Sequence, residues 1–314
     1  MCRLWMAQGV TGPMLIGNVS TNVIKMFVPK QSLLQAKSVV DFSSIVMSPK
    51  FNLLQWDCSA ECEYKCMWKT VDIFVEHHQD IPQFYGKWPF IRLYGIQEPA
   101  SAFFSVLNGA AHIYGIIQFR KLVIPLAPMY LVWHGYCFVA LNTWCWSTLF
   151  HMRDFEFTEH MDYMGATALV TYQLFGLLAR LLIHKPKVYL CTVSALVSLL
   201  CLYHIYSMVF IHFDYGYHIK VNVTIGVLNA IGWAGWCIYV RHKQTYSWKG
   251  STAIILIGLC LSLELADFPP IAWVFDAHSL WHAGTAPLTL LWYSFIVDDC
   301  NYLLMSHKPE LQEN

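Results

Sequence analysis

The sequence predicts an all-α integral membrane protein: a seven-transmembrane helix bundle preceded by a small, cysteine-containing lumenal segment. Hydrophobic types make up 56% of the 314 residues and charged types only 13%, against about 45–50% and about 25% in soluble domains. The 40 charged residues are unevenly spread, with 16 in residues 1–97, 19 in residues 98–297 and 5 in residues 298–314. We therefore expect a lumenal region over 1–97, a seven-helix domain over 98–297 and a cytosolic tail over 298–314.

The charge balance excludes two classes of protein. Lys and Arg number 20, and Asp and Glu also number 20, so the formal net charge is zero. Proteins that bind nucleic acid or an anionic membrane surface carry a marked excess of basic residues. We expect membrane lipid as a partner, no nucleic acid, and no obligate protein partner.

Seven apolar runs have the length of membrane spans. A hydrocarbon core about 30 Å thick requires about 20 apolar residues per helix. The runs cover residues 99–119, 122–152, 163–179, 188–213, 221–240, about 250–264 and 271–297. The Pro269–Pro270 pair separates the last two runs, because proline cannot continue a helix.

The loops between these runs predict the orientation of the bundle. Cytoplasmic loops of membrane proteins carry an excess of Lys and Arg. The loops after the first, third and fifth runs hold eight basic residues: Arg120, Lys121, Arg180, Lys185, Lys187, Arg241, Lys243 and Lys249. The loops after the second, fourth and sixth runs hold only Arg153 and Lys220. We expect the first set of loops and the tail in the cytosol, and the N-terminal region in the lumen.

The lumenal region contains three regularly spaced cysteines, Cys58, Cys62 and Cys66. Their Cys-x3-Cys spacing fits a disulfide-bearing segment better than a zinc site, where Cys-x2-Cys is usual, and the lumen is an oxidising compartment. Three is an odd number, so either Cys2 supplies a fourth thiol or a partner is missing. The sequence leaves the pairing open.

Five polar residues inside the apolar runs form the candidate site. Ser147 and His151 are four residues apart, as are His278 and His282, so each pair shares one helix face. The three histidines can bind one zinc ion with water in the open position, and Asp162 is the neighbouring carboxylate. The predicted topology places all five residues at a similar depth on the lumenal side.

These residues also have structural explanations. A His-x3-His pair arises by chance in a chain with 14 histidines, and a serine in a membrane helix commonly bonds only a carbonyl of its own helix. Asp162 and Asp276 can be interfacial residues. Their common depth favours a single site, since unpaired polar groups inside a membrane are energetically costly.

Longer motifs link these residues to a known family. They are Trp56-Asp57-Cys58, Cys62-x3-Cys66-Met67-Trp68, and the segments 82–90, 97–101, 146–154, 161–163, 213–217, 266–270 and 276–282. Together they make residues 52–305 resemble the Per-like family, a branch of the CREST superfamily of seven-helix membrane hydrolases. That superfamily also includes the alkaline ceramidases and the adipoQ/progestin receptors.

The resemblance implies remodelling of GPI-anchor lipids in the Golgi or endoplasmic reticulum membrane, with the active site towards the lumen. The implied reaction is zinc-dependent hydrolysis of the sn-2 acyl ester of the phosphatidylinositol in GPI-anchored proteins, which gives a lyso-GPI. His151, His278 and His282 would hold Zn²⁺, Asp162 would transfer the proton of the attacking water, and Ser147 would hold that water or the developing oxyanion. A serine acyl-enzyme formed on Ser147 is the competing mechanism.

Two further expectations qualify this assignment. A non-catalytic lipid receptor or scaffold with a structural metal is the alternative function, because fold does not fix function. Residues 1–50 depart from the family pattern, since they lack its further cysteines and a strong signal peptide. We expect an atypical or alternative N-terminus there, which leaves the predicted site unchanged.

Overall fold

The computed structural model describes residues 10–11, 54 and 56–312 of the chain. They are predominantly helical, apart from a short antiparallel pair of strands, β1 (Val10–Thr11) and β2 (Gln83–Phe84). The all-α prediction is therefore confirmed with that one exception. Cys2 and most of residues 1–50 lie outside the described residues.

Each of the seven predicted runs corresponds to one helix. The helices are α1 (Cys58–Glu76), α2 (Pro99–Leu122), α3 (Tyr130–Met152), α4 (Glu156–Leu181), α5 (Lys187–Tyr206), α6 (Tyr215–Val240), α7 (Ser247–Glu264) and α8 (Ala277–Gln312). A π-helical turn, Ser207–Ile211, extends α5. The runs match α2 to α8, and α1 lies in the N-terminal region.

Four of these helices are long and apolar enough to cross a membrane: α2, α4, α5 with its π-helical turn, and α6. Within the described residues, α3, α7 and α8 do not meet that measure. Tryptophans and histidines lower the apolarity of α3, a lysine and a glutamate that of α7, and two histidines and two aspartates that of α8. The chain is a helical membrane protein, and the count of seven spans stays a prediction.

The N-terminal compact unit contains the described residues up to Gly95 together with a distant segment, Pro269–Trp273. The Ile91 N–H donates to the Trp273 carbonyl at 2.9 Å. The Trp273 ring meets Trp68 of α1 edge to face, with ring centroids 5.3 Å apart. These contacts fix the distant segment within this unit.

The cysteines of α1 are in different states. Cys66 is disulfide-bonded, whereas Cys58 and Cys62 carry free thiols. The predicted disulfide-bearing segment is thus confirmed at Cys66. Close by in the same unit, the Arg92 guanidinium lies 3.3 Å from the ring centroid of Trp56, a cation–π contact.

The second compact unit comprises Ile96–Phe268 and Val274–Asn314. Its principal helix contacts follow a closed ring in the order α2, α3, α4, α6, α7 and α8, and α8 returns to α2. Helix α5 packs mainly against α4 and lies outside this ring. Only 6% of its most apolar stretch is buried.

Aromatic side chains fill much of the ring interior. Trp133, Trp233 and Trp292 pack together with Phe295 in the main apolar cluster. Helices α2 and α8 approach closely at Gly115, where an added Cβ would lie 2.3 Å from the Tyr293 ring. A side chain at that position would force the two helices apart.

Away from the candidate site, buried charges join α4 and α8. Arg180 forms a bidentate ion pair with Asp299, with Nε–Oδ2 and Nη2–Oδ1 distances of 2.7 and 2.9 Å. The Tyr246 hydroxyl donates to the same carboxylate at 2.7 Å. Asp299 is fully buried, so this network satisfies a charge that would otherwise be costly in the bundle.

Helix α8 begins later than the run predicted over 271–297. Ala272 and Trp273 have φ angles of 52° and 59°, which end the preceding segment in a turn. The Asp276 carboxylate then accepts the Ser279 N–H at 2.9 Å and caps the helix. The apolar composition carried no signal for this turn and cap.

Candidate metal centre

Three histidines meet where α3 ends and α8 begins. His151 occupies the last turn of α3, and His278 and His282 lie one turn apart at the start of α8. Their Nε2 atoms converge: His278 Nε2 lies 3.3 Å from His151 Nε2 and 2.8 Å from His282 Nε2. The structure therefore brings together side chains separated by 127 residues in sequence.

Two carboxylates lie behind two of these histidines. Glu98 Oε2 lies 2.7 Å from His151 Nδ1, and Glu264 Oε2 lies 2.7 Å from His278 Nδ1. Glu98 directly precedes α2, and Glu264 is the last residue of α7. When a carboxylate accepts the Nδ1–H, the lone pair of a neutral imidazole lies on Nε2.

His282 is held in a different way. Its ring lies against Trp281 and Trp144, with centroid distances of 4.8 and 5.2 Å. Its carbonyl accepts a hydrogen bond from Asn108 Nδ2 at 2.8 Å, which ties α8 to α2. The buried Nδ1 has no hydrogen-bond partner among the described residues. Packing and the main chain position this ring.

The donor set fits a zinc ion. One ring nitrogen from each of the three histidines lies within 4.8 Å of the others. Zinc–imidazole bonds of about 2.0–2.1 Å in a tetrahedral site place neighbouring nitrogens about 3.3 Å apart. The His151–His278 separation is 3.3 Å, and the 2.8 Å between His278 and His282 needs to widen by only about 0.5 Å.

Ser147 lies one turn before His151 on α3 and is buried. Its Oγ is 3.1 Å from Ser105 Oγ of α2. Ser105 in turn donates to the Ser101 carbonyl at 2.8 Å. Either hydroxyl of the Ser105–Ser147 pair can be the donor. The Ser147 hydroxyl is thus oriented by a second serine.

Asp162 lies in the second turn of α4 and is half-buried. It is not a member of the converging ligand group, which consists of His151, His278 and His282. Its predicted part in proton transfer stays a prediction. Asp276, the other ambiguous aspartate, has a structural role as the cap of α8.

An apolar groove of about 260 Å³ runs between α2 and α3. Ser105 and Trp144, which contact Ser147 and His282 respectively, both line it. Its other lining residues are Val106, Gly109, Ala110, Ile113, Leu141, Cys145 and Thr148. The groove is therefore connected to the histidine cluster through Trp144 and to Ser147 through Ser105.

Sequence reasoning missed Glu98, Glu264 and Ser105. In the sequence, Glu98 only precedes the first apolar run, and Glu264 only ends the sixth. A usable signal was present, since each is an acidic residue at the end of a predicted span and histidine ligands usually donate to carboxylates. Ser105 carried no such signal, because serine is common in membrane helices.

These features define the class of protein: a helical membrane protein whose apolar bundle brings together three convergent histidines, two of them in contact with carboxylates. Residues 48–300 match the sequence model of the Per1-like family. The chain belongs to that family, which confirms the resemblance carried by its motifs.

Several curated relatives cover most of the chain. It is 41% identical over 262 residues to a zebrafish (Danio rerio) protein named GPI-specific phospholipase A2-like PGAP3, covering 83% of each chain. It is 43% identical over 245 residues to the Drosophila melanogaster protein named Post-GPI attachment to proteins factor 3, covering 78% of this chain and 75% of the relative. The human GPI-specific phospholipase A2-like PGAP3 is 39% identical over 262 residues, covering 83% and 82%.

Proposed function

We propose that this protein hydrolyses the sn-2 acyl ester of the phosphatidylinositol in GPI-anchored proteins and releases a lyso-GPI. The observation that carries the proposal is the convergence of His151, His278 and His282 in a chain of the Per1-like family. The relatives named GPI-specific phospholipase A2-like support the substrate and the bond that is cleaved.

The three histidines would hold a zinc ion. When bound, zinc supplies Lewis-acid polarisation of an ester carbonyl and makes a coordinated water more acidic. Glu98 and Glu264 keep two of the imidazoles in the form whose Nε2 lone pairs face the centre. Histidines without such carboxylates would turn or exchange tautomers more freely.

Two further side chains, the Asp162 carboxylate and the Ser147 hydroxyl, complete the proposed chemistry. Asp162 accepts the proton of the attacking water and returns it to the leaving alcohol. Ser147 orients that water or the developing oxyanion. The hydrogen bond between Ser147 and Ser105 favours this role over that of a nucleophile, because an attacking serine needs a base as its partner.

The position of the centre within the helices suits a glycerolipid ester. His151 is the second-last residue of α3, and His278 is the second residue of α8. Helix ends lie near the membrane–water boundary, where the ester bonds of a phospholipid also lie. The groove between α2 and α3 offers an apolar surface beside the centre for the acyl chain.

We further propose that α2 to α8 form seven membrane spans, with residues 1–97 and the histidine centre towards the lumen and the tail from residue 298 in the cytosol. The eight-to-two distribution of basic residues between the loops supports this orientation. We propose the Golgi or endoplasmic reticulum membrane as the location, which the resemblance to the family implies.

The function is tested in cells that lack the protein and are rescued with wild-type chain or with a variant in which all three histidines are alanine. The readout is the fraction of GPI anchors that keep an unsaturated sn-2 chain, together with the zinc content of the purified protein. Wild-type chain is expected to lower that fraction and the variant to leave it high. Full rescue by the variant would exclude the hydrolase, and bound zinc with unchanged anchor lipids would favour the receptor or scaffold.

The orientation is tested with engineered glycosylation acceptors. An acceptor between Arg153 and Asp162, extended far enough from the bilayer to be reached, is expected to be glycosylated. An acceptor between Arg241 and Lys249 is expected to stay unmodified. The reverse pattern would overturn the topology and the lumenal site.

A further inference from the structure

Resting on the zinc site proposed above, we infer that Glu98 and Glu264 are positioning residues for that metal. They fix the rings of His151 and His278 and neutralise the charge of the ion. Neither glutamate contacts the proposed substrate chemistry in this arrangement. They act through the histidines.

The first support is the geometry of the two contacts. Both N–O distances are 2.7 Å, at the short end expected for hydrogen bonds to an ionised acceptor. Glu98 is buried, with 6% of its surface exposed. A buried carboxylate with a short contact to Nδ1 restricts both the tautomer and the rotation of the ring.

The second support is the charge balance of the centre. Three neutral imidazoles leave the double positive charge of a zinc ion uncompensated. A net charge inside an apolar bundle is strongly unfavourable. The carboxylates of Glu98 and Glu264, which contact two of the three ligands, contribute two negative charges that offset it.

The third support is the asymmetry among the ligands. His282 has no carboxylate behind it, and its Nδ1 has no hydrogen-bond partner in the part of the chain that the structure describes. Its ring is fixed by Trp144 and Trp281 instead. The arrangement thus combines two electrostatically supported ligands with one that is held by packing.

The three histidines and the two glutamates lie at the ends of four different helices. Glu98 precedes α2, His151 ends α3, Glu264 ends α7, and His278 and His282 begin α8. Metal bound to the histidines would therefore stabilise the ends of four helices together. Removing it should loosen the ends of α2 and α7 even though neither helix supplies a ligand.

The experiment measures zinc affinity of the purified full-length protein in detergent, by competition with a chelator of known affinity. Glu98→Ala and Glu264→Ala are each expected to raise the zinc Kd about 10–100-fold. Glu98→Gln and Glu264→Gln keep an oxygen acceptor but remove the charge, so their Kd should lie between those of the alanine variant and wild type. Asp298→Asn is the control, because Asp298 is a carboxylate towards the other end of α8 that pairs with Lys249 rather than with a histidine.

A second readout separates positioning from a purely structural effect. The visible absorption spectrum of the cobalt-substituted protein reports ligand geometry, and it should change in both alanine variants and stay unchanged in Asp298→Asn. Folded alanine variants with wild-type zinc Kd and cobalt spectrum would overturn the inference. If an alanine variant does not fold, its glutamine variant decides, and an unchanged Kd there overturns the inference equally.

The two proposals can fail separately. Absence of zinc binding by the wild-type protein would remove the metal centre and with it the proposed function. Zinc binding by wild type with no effect of either glutamate would leave the proposed function intact and remove only the positioning role.

Discussion

The two ends of the helical bundle both bury charged or titratable side chains, yet they use them differently. At one end Arg180 and Asp299 form a bidentate ion pair, and the Tyr246 hydroxyl completes the network. At the other end a ring nitrogen from each of three histidines converges, and these nitrogens lie within 4.8 Å of one another. His278 and Asp299 lie on the same helix, separated by about 30 Å along its axis.

The difference shows what distinguishes a structural network from a candidate site. Burial alone does not distinguish a structural network from a candidate site, because Asp299 and His151 are both almost completely buried. In the Arg180–Asp299 pair each hydrogen-bonding group faces its complement, so nothing further is needed. In the histidine cluster three ring nitrogens face one another, and an added cation bound through their lone pairs would satisfy them. The first arrangement should govern stability and the second should govern activity.

His278→Ala is the most direct test of the difference between the two ends of the bundle. Removing one of three ligands should abolish measurable zinc binding and reduce sn-2 deacylation to background. The measurements are zinc content and the fraction of GPI anchors that keep an unsaturated sn-2 chain. His151→Ala should behave in the same way. Loss of zinc in one variant and full retention in the other would contradict a shared three-histidine site.

A second substitution separates chemistry from metal binding at the histidine end. Asp162→Asn keeps the size of the side chain but cannot accept a proton, so deacylation should fall by about 10²–10⁴ while zinc content stays at the wild-type level. Rates are compared in cells rescued to equal protein levels. Full rescue by this variant would exclude Asp162 from proton transfer, and loss of zinc would instead place it among the ligands.

At the opposite end, Asp299→Ala should affect stability more than activity. Removing one partner of a buried ion pair destabilises a protein by about 3–5 kcal/mol, because the remaining charge is unpaired. The apparent melting temperature in detergent should fall, while the zinc Kd of the folded fraction stays unchanged. The double variant Arg180→Met with Asp299→Leu should regain stability. A changed zinc Kd in the folded double variant would show that the two ends are coupled.

The smallest expected effect tests the serine pair. Ser147→Ala should lower deacylation by about 10²–10³ if the hydroxyl stabilises a developing oxyanion. Ser105→Ala should lower it less, because Ser105 only orients Ser147. Lipid analysis of GPI anchors measures both. A covalent acyl group trapped on Ser147 would instead establish the serine nucleophile.

The sequence predicted the histidine end through local spacing and shared depth. The four-residue interval placed His278 and His282 on one helix face, and the topology brought His151 to the same depth. The carboxylates could not be found in this way. Glu98 lies 53 residues before His151, and only the packing of α2 against α3 determines that they meet.

The Arg180–Asp299 ion pair was even harder to predict from the sequence. Arg180 appeared as a basic residue of a cytosolic loop, whereas the structure places it within α4, buried against Asp299. An arginine near the end of an apolar run looks the same in the sequence whether it faces water or a partner. The choice depends on the neighbouring helix, which is 119 residues away.

The position of α5 outside the helix ring has a consequence for sequence variation. With only 6% of its most apolar stretch buried, nearly all of its side chains lie on the protein surface. If α5 spans the membrane as proposed, lipid covers them, and lipid cannot distinguish leucine from isoleucine or valine. Length and apolarity are therefore almost the only constraints on this helix. Most apolar exchanges within it should change the free energy of unfolding by less than about 0.5 kcal/mol, so α5 can diverge among related chains while the ring and its histidines stay the same.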